Sequence, residues 1–343
     1  MNKTYTPIQI IGTQRSGSNL LRLMINELQG VVAPHPPHIL KTFMPMMNQY
    51  GDLSVDEKFS QLVDDVCRLV ETNPVVWEKV NLDREQIFRS AKQRSLVEVF
   101  IQVYEQMASA NEADFWCCKS MANVKYVDQM ERHGLNPLFI RLVRDGRDVA
   151  ASFKKVAVGE KHIYHLATYW KELQEKSEKL VNRLGSGRAL TIKYEDLIEK
   201  PEEVMSLVCA FLGIPYSNQI FNYFKSEESK HTAASGYMWA NVTQPILKNN
   251  TQKYKAILTT EEVSIFESIA GQMLEKNGYA VSHCEPQDFS IDQVEAFDIE
   301  NEKLKRSTLQ QEHLKVDLQK RAVQEALVEE IKARKMALTP EFV

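Results

Sequence analysis

The sequence lacks an excess of positive charge and lacks any long apolar run. Its 42 Lys and Arg residues are outnumbered by 46 Asp and Glu residues, which gives a formal net charge of −4. Dedicated nucleic-acid-binding proteins usually carry a basic excess, so this balance argues against a nucleic-acid partner and makes any anion site a local one. No run approaches the ~18 apolar residues of a membrane span, and the opening segment MNKTYTPIQIIG has no signal-peptide apolar region. We therefore expect a cytoplasmic protein with no membrane span.

Cysteine is scarce as well. There are five among 343 residues, and none has the spacing of metal ligands. An odd number of cysteines without a disulfide framework is typical of a protein in a reducing compartment, and the sequence predicts no metal site. The five are Cys67, Cys117, Cys118, Cys209 and Cys284.

Strand and helix patterns alternate through most of the chain. Apolar segments at 5–11, 114–118, 137–143 and 189–193 predict buried strands. Helices are predicted over 18–28, 145–154, 163–184 and 201–212, the last of them ended by Gly213. This alternation favours an α/β fold with a central parallel sheet and helices on both faces.

The chain divides into a domain and a tail. Residues 1–285 form the predicted domain, in which 36–115 are mainly helical and form an insertion. Residues 286–343 are dense in charge, and their narrow apolar stripe predicts a long helix. Two partners are open for that stripe: the rest of the chain, or a second subunit in a homo-oligomer.

The segment IIGTQRSGSNLL, at 10–21, has the pattern of a phosphate-binding loop between a strand and a helix. Successive backbone N–H groups and the positive end of the helix would face an anion. Arg15 adds a bidentate donor for phosphate or sulfate oxygens. The loop lacks the Gly-Lys-Ser/Thr ending that holds a nucleoside triphosphate and its magnesium. The alternative is a plain strand-to-helix turn.

A second segment, RLVRDGRDVAAS, places Arg144 at the carboxyl end of a predicted strand, where open α/β sheets bind ligands. Ser152 follows eight positions later, two turns into the next helix, so both side chains could reach one phosphate. The alternative is a surface ion-pair cluster of Arg144 with Asp145, Arg147 and Asp148.

These two segments, followed by TIKYEDLIEKPEEVMSLVCAFLGIPY, resemble the sulfotransferase family in order and approximate spacing. The resemblance covers about residues 5–280. It implies a P-loop-type three-layer α/β/α fold, and 3′-phosphoadenosine 5′-phosphosulfate (PAPS) as donor, with 3′-phosphoadenosine 5′-phosphate (PAP) as product. The implied reaction transfers the sulfuryl group to a hydroxyl of a small-molecule, lipid or carbohydrate acceptor and needs no metal.

The resemblance also implies roles for individual residues. Arg144 and Ser152 would bind the 3′-phosphate, Tyr194 would lie near the adenine, and Lys253 would close over the donor phosphates. Gly146 departs from the family pattern, in which proline is common, and should loosen this turn without removing a ligand. The residues expected at the 5′-phosphosulfate are Arg15 and the backbone amides of Ser16, Gly17, Ser18 and Asn19.

The acceptor hydroxyl requires a base, which many cytosolic relatives supply in a Lys-Thr-His segment. The matching segment here ends in Met121, which cannot accept a proton, although Lys119 remains as a donor to the sulfuryl oxygens. Other relatives place the base about twenty residues past the loop. Here His35 lies 20 positions after Arg15, and His38 follows. A neutral histidine suits proton transfer near pH 7. Of the two candidate bases, His35 is placed slightly ahead of His38. The alternative is that these histidines have a structural role.

Several features remain open. His162 and His165 are weaker base candidates. The acceptor pocket is expected between 38–110 and the loop at 236–239. Its apolar wall, or else an ordinary core, would be built by Phe43, Met44, Met46, Met47 and Trp239.

Two other functions compete with a sulfotransferase. One is an ATP-dependent kinase on the related fold, although Asn19 and Leu20 cannot replace the missing lysine and hydroxyl ligands of its phosphate loop. The other is a non-catalytic nucleotide-binding or scaffold protein that assembles through the tail.

Overall fold

The computed structural model describes residues 3–282 and 287–338, with side chains to 334. Five strands form one sheet in the order β2-β3-β1-β4-β5, and every neighbouring pair is parallel. The strands are β1 (Thr6–Gly12), β2 (Val31–Val32), β3 (Phe115–Cys118), β4 (Leu138–Val143) and β5 (Ala189–Lys193).

Fifteen α-helices are present in the described residues. The first eight are α1 (Ser18–Asn26), α2 (Ile39–Phe43), α3 (Asp56–Glu71), α4 (Arg84–Ser90), α5 (Leu96–Ala110), α6 (Val127–Arg132), α7 (Gly146–Phe153) and α8 (Ile163–Leu184). The rest are α9 (Tyr194–Glu199), α10 (Pro201–Leu212), α11 (Glu227–Ala234), α12 (Tyr254–Ile257), α13 (Thr260–Lys276), α14 (Ile291–Leu309) and α15 (Lys315–Leu338). Short 3-10 helices cover Met44–Gln49, Met121–Tyr126, Asn218–Lys225, Tyr237–Thr243 and Glu312–Leu314.

The central strand β1 is apolar on both faces because helices cover both sides of the sheet. Ile8 and Ile10 belong to a core cluster with residues of α1 and α10, whereas Ile11 packs with Leu173 of α8. This is the predicted three-layer α/β/α arrangement, which is confirmed. The predicted ends of α8, β5 and α10 are also confirmed, and Gly213 ends α10 in the left-handed conformation at φ 69°.

All strands run the same way, so their carboxyl ends lie at one edge of the sheet. Gly12 pairs with Leu142, and Val143 pairs with Lys193, at this edge. The loops that follow β1, β3, β4 and β5 therefore lie near one another, as ligand-binding loops do in open α/β sheets.

The helical region after β2 has its own core, built mainly from α3 and α5, and the tail completes it. Leu327 and Ile331 of α15 are buried in that core. The predicted helical extension is present as two helices, α14 and α15, and it packs on its own chain. The domain boundary expected at 285/286 and Cys284 lie outside the described residues.

Two further properties belong to the described residues. Their cysteines Cys67, Cys117, Cys118 and Cys209 are free and buried. Within the same ranges, no helix has both the length and the apolar character that crossing a membrane requires.

Candidate active site

The loop between β1 and α1 has a conformation that requires glycine at its last position. Gly17 is left-handed at φ 85°, directly before Ser18 opens α1. A Cβ on Gly17 would lie 2.2 Å from the ring of Tyr194, so the two residues pack together without space for a side chain. Arg15 is also left-handed, at φ 69°. The loop is thus a tightly packed turn that ends on the first amide groups of α1, which have no partners within the helix.

Arg144 leaves the end of β4 and is held against the loop. Its guanidinium donates to the carbonyl of Arg15 at 3.0 Å and to the carbonyl of Asn250 at 2.8 Å. The Cζ atom lies 4.4 Å from the centre of the Tyr194 ring. Asn250 in turn donates to the Tyr194 hydroxyl at 2.6 Å. Three segments far apart in sequence therefore surround the guanidinium that extends from the end of β4.

Arg15 points toward α7 rather than into solvent. Its Nε donates to Ser152 Oγ at 3.0 Å, and its Nη2 donates to the carbonyl of Met238 at 3.3 Å. Burial lowers the pKa of Arg15 to about 10, and the nearby charge of Arg144 acts in the same direction. The site holds these cations close together in a poorly solvated environment, and a bound anion would reduce their repulsion.

The segment RDGRD, at 144–148, shows features of both interpretations made from the sequence, a ligand-binding arginine and an ion-pair cluster. Arg147 forms a buried cluster, with contacts of 2.7 Å to Asp145 and 2.5 Å to Glu267. Arg144 lies 3.7 Å from Asp148 and keeps its other contacts at the loop. The ion-pair cluster is real, but it is buried and centred on Arg147, which leaves Arg144 for the site.

The turn at Gly146 is tightly packed, contrary to the expectation that glycine would loosen it. A Cβ there would lie 2.6 Å from Phe266 and 2.7 Å from Trp170. Asp145 caps α7 by accepting from the amide of Arg147 at 2.9 Å. Glycine is present because two aromatic rings approach the backbone.

His35 is buried, 4% exposed, and its position is fixed through its backbone. Its carbonyl accepts from Trp77 Nε1 at 2.7 Å and from Asn73 at 3.2 Å. The imidazole packs edge-on against Trp239 with ring centres 4.7 Å apart. Neither ring nitrogen has a hydrogen-bond partner among the described residues. Burial lowers the pKa of His35 well below 6.5, with Lys119 the next cause, so the ring is neutral at pH 7.

His38 and Lys119 lie beside it. His38 Nδ1 is 2.9 Å from Ser120 Oγ, which orients the ring. Burial lowers the pKa of His38 well below 6.5, and the charge of Lys41 adds to this. Lys119 is 7% exposed, and burial lowers its pKa well below 10.5 with a contribution from Arg22. A bound anion would oppose each of these shifts.

Most of the residues expected at the site line one cavity of about 480 Å³. Ser16 lies behind the cavity wall, where its Oγ is buried without a hydrogen-bond partner among the described residues. The predicted residues that line the cavity are Arg15, Gly17, Ser18, Asn19, His35, His38, Lys119, Arg144, Ser152, Tyr194 and Lys253.

Other predicted residues lie elsewhere. Phe43 and Met46 are buried in the helical core, with Met44 and Met47 packed against it, so of the apolar set only Trp239 lines the cavity. His162 stacks on Phe297 at 4.6 Å, and His165 contacts Asp298 at 3.0 Å, away from the cavity. Across residues 3–282 and 287–338, no group of three or more His, Cys, Asp or Glu side chains is placed to hold a metal ion.

Several cavity residues were not anticipated from the sequence, among them Asn250, Arg321 and Gln324. Asn250 lies in a short irregular segment whose spacing carries no signal. Arg321 and Gln324 come from α15 and reach the cavity only because the tail folds back on its own chain. Their spacing of three on a helix places them on one face, but nothing in the sequence indicates what that face contacts.

Comparisons with known proteins agree with this geometry. The model of the family described as "Sulfotransferase family" matches residues 7–218. Protein-tyrosine sulfotransferase 2 of Gallus gallus is 25% identical over 225 residues, which cover 63% of this chain and 53% of the relative. The chain thus matches about half the length of that curated relative.

Two solved structures have a similar fold. The sulfotransferase domain from the curacin biosynthetic pathway superposes with a TM-score of 0.54 at 22% identity, covering 82% of this chain and 100% of that one. The sulfotransferase domain from the Synechococcus PCC 7002 olefin synthase gives 0.53 at 20% identity, covering 78% and 96%. At such identities the likeness shows the fold alone. Because the family model spans more than half of the sequence, this chain belongs to the sulfotransferase family.

Proposed function

We propose that the cavity binds PAPS and that the protein transfers its sulfuryl group to an acceptor hydroxyl. One observation carries the proposal: the loop after β1 and Arg144 at the end of β4 line the same cavity, with Arg144 hydrogen-bonded to the carbonyl of Arg15 at 3.0 Å. A ligand with phosphate groups at both ends of a ribose would contact both elements.

The residues present fit such a donor. The cavity volume, about 480 Å³, lies in the range of nucleotide-sized ligand sites. Asp148 is the one acidic side chain among its described lining residues. Seven basic side chains line it: Arg15, Lys41, Lys119, Arg144, Lys155, Lys253 and Arg321. This local charge contrasts with the net charge of −4 of the whole chain, as an anion site in an acidic protein requires.

The two ends of the donor would be held differently. The 5′-phosphosulfate would lie on the amides of 16–19 and on Arg15, at the amino end of α1, where the helix dipole favours an anion. The 3′-phosphate would lie on Arg144 and Ser152. Tyr194, whose ring centre lies 4.4 Å from Arg144 Cζ, offers an aromatic surface for the adenine. Lys253 is exposed at the start of α12, from where it would reach the donor phosphates.

Catalysis by this site is positioning plus charge stabilisation. When bound, the donor supplies a sulfuryl group whose bond to the bridging oxygen breaks as the bond to the acceptor oxygen forms. Arg15 would stabilise negative charge at the bridging oxygen, and Lys119 would donate to the sulfuryl oxygens. Losing one such preorganised donor typically costs about 10²–10³ in turnover.

His35 is the proposed base. It is neutral at pH 7, and its two ring nitrogens have no partner among the described residues, so one of them can accept the hydroxyl proton. His38 is the alternative, because Ser120 orients its ring and leaves Nε2 for a proton. The acceptor is a hydroxyl compound of the small-molecule, lipid or carbohydrate class that fits beside these rings.

The test combines binding with turnover. Calorimetry should show one PAP molecule bound per chain, and radiolabelled PAPS should transfer sulfate to at least one compound of a hydroxyl panel, with no loss when a metal chelator is added. Absence of PAP binding would overturn the proposal. PAP binding without turnover on any acceptor would favour a scaffold, and chelator-sensitive activity with ATP would favour a kinase.

A further inference from the structure

The carboxyl-terminal helix forms one wall of the active-site cavity. Arg321 and Gln324 of α15 line it, although this helix lies outside residues 7–218 that match the family model. The wall is held at several points. Asp317 accepts from the amide of Tyr237 at 2.5 Å, and Gln324 donates to the carbonyl of Leu69 at 2.9 Å. Further along, Leu327 is buried in the helical core.

Arg321 occupies this wall beside the proposed base. Its Cζ lies 5.2 Å from the ring centre of Trp239, the same ring that packs edge-on against His35. Its Nη2 lies 3.7 Å from Met238 Sδ, a weak acceptor, and its Nε is buried without a partner within the described part of the chain. Among the described acidic residues none forms an ion pair with Arg321.

Two acids lie one turn away on α15, Asp317 and Glu325, and neither forms an ion pair with Arg321. Asp317 accepts from the amide of Tyr237 through Oδ2. Burial lowers the pKa of Arg321 although the charges of Asp317 and Glu325 oppose that shift.

Burial lowers the pKa of Lys41 and of Lys119, and the charge of Arg321 adds to both shifts. All three cations line the cavity. A half-buried guanidinium that forms no ion pair and whose Nε has no hydrogen-bond partner within the described residues is costly, and a ligand anion would offset that cost.

The donor alone does not account for this charge. In the proposed function its phosphates and sulfate are met by Arg15, Arg144, Lys119 and Lys253. Arg321 lies against Trp239, the ring that also contacts His35, so its guanidinium would face an acceptor whose hydroxyl lies at His35. With a neutral acceptor, the Nε of Arg321 would stay without a hydrogen-bond partner within the described part of the chain.

We propose that Arg321 binds an anionic group of the acceptor, a carboxylate or a phosphate ester, while the hydroxyl of the same molecule lies at His35. The acceptor class is therefore a hydroxy acid or a hydroxy phosphate ester rather than a neutral alcohol. This inference rests on the proposed function, and it assigns to the tail helix a part in acceptor selection.

Matched probes test the assignment by calorimetry on PAP-saturated protein. The probes are ω-hydroxyalkanoates of four to twelve carbons, ω-hydroxyalkyl phosphates of the same lengths, and the neutral methyl esters of the hydroxyalkanoates. The variant is Arg321→Met, which keeps an unbranched apolar stem against Trp239. Lys320→Met removes an exposed cation from the same helix and is the control. Arg321→Lys retains the charge.

We expect at least one anionic probe to bind about ten- to a hundredfold more tightly than its neutral counterpart, as a charge-assisted contact allows. Comparing carboxylates with phosphates identifies which anion is recognised. Arg321→Met should abolish the preference and lower PAP affinity by no more than a few-fold. Arg321→Lys should keep part of the preference, and Lys320→Met should keep all of it.

Two outcomes overturn the inference: no anionic probe binds more tightly than its neutral counterpart, or the preference persists in Arg321→Met. Failure of the proposed function gives a different result, because wild-type protein would then not bind PAP. An Arg321-dependent anion preference in protein that does not bind PAP would support the anion site and reject the donor assignment.

Discussion

The guanidinium of Arg144 donates a hydrogen bond to the backbone carbonyl of Arg15 at 3.0 Å. This contact joins the end of β4 to the loop after β1, so the two proposed phosphate contacts are fixed relative to one another before any ligand binds. Because the arginine that would bind the 3′-phosphate also supports the loop at the 5′ end, its replacement should affect both ends of the donor site.

Arg144→Ala should lower PAP affinity about ten- to a hundredfold through loss of a charge-assisted contact. Adenosine 5′-phosphate lacks the 3′-phosphate, so its affinity should fall much less. Calorimetry with both nucleotides checks this. Equal losses for the two would assign Arg144 to support of the loop rather than to the 3′-phosphate.

Arg15→Ala should reduce turnover with PAPS by about 10²–10³, because a donor aimed at developing charge is lost. Arg15→Lys should recover only part of the rate, since lysine supplies a point charge without the fork of donors. Steady-state kinetics at saturating PAPS measures both. Turnover within about twofold of wild type in the alanine variant would remove Arg15 from the mechanism.

Gly17→Ala should impair both folding and PAP binding. Alanine at φ 85° is strained, and its Cβ would meet the Tyr194 ring at 2.2 Å. We expect a loss of at least about 1 kcal/mol in unfolding free energy, measured by urea denaturation. Gly187→Ala is the matched control, because a Cβ there meets nothing within 4 Å. Equal stability of the two variants would contradict the loop geometry.

The pH dependence should identify the base. The pKa of His35 is lowered well below 6.5, mainly by burial, so the neutral and active form persists as the pH falls through 6.5. The acid limb of kcat/KM for PAPS should therefore lie below pH 6.5. The acid limb of kcat should lie at higher pH, because the negative charge of bound PAPS raises the pKa of His35.

Two variants separate the histidines in that profile. His35→Ala should reduce turnover by about 10²–10⁴ and remove the acid limb, with PAP affinity nearly intact. His38→Ala should retain the limb. The reverse pattern would transfer the role to His38, and an unfolded His35→Ala protein would show a structural role.

The tail should contribute to stability as well as to the cavity. Arg334 forms two 2.9 Å hydrogen bonds to Asp65, which is 1% exposed. Arg334→Met should remove two charge-assisted hydrogen bonds from that carboxylate, which keeps the Tyr50 hydroxyl at 3.0 Å and Arg68 at 3.5 Å. We expect a cost of about 1–3 kcal/mol in urea unfolding. Lys332→Met breaks only the exposed contact with Glu329 and should change stability by less than about 0.5 kcal/mol. Similar losses would show that α15 does not pack as described.

The tail also shows where sequence patterns reach their limit. Its helical character follows from composition, and its apolar stripe is visible in the printed sequence. Which surface that stripe covers depends on the shape of the helical core, to which Leu327 and Ile331 are complementary. The contribution of Arg321 to the cavity therefore could not be predicted, since a lone arginine on a charged helix is ordinarily a solvated one.

The donor side was more predictable because local rules determine it. Apolar runs fix buried strands, parallel strands end at one edge, and Arg15 and Arg144 each follow such a strand. Their convergence on one cavity was therefore predictable from spacing. The two-residue strand β2 was missed because it is too short to show alternation. Tight packing at Gly146 was missed because it depends on Trp170 and Phe266, distant in sequence.

A crystal structure of the PAP complex tests the central claim most directly. The account predicts the 5′-phosphate on the backbone amides of 16–19 and Arg15, and the 3′-phosphate on Arg144 and Ser152, with His35 facing the space beyond the 5′-phosphate. PAP bound outside this cavity, or bound with its 3′-phosphate away from Arg144, would contradict it.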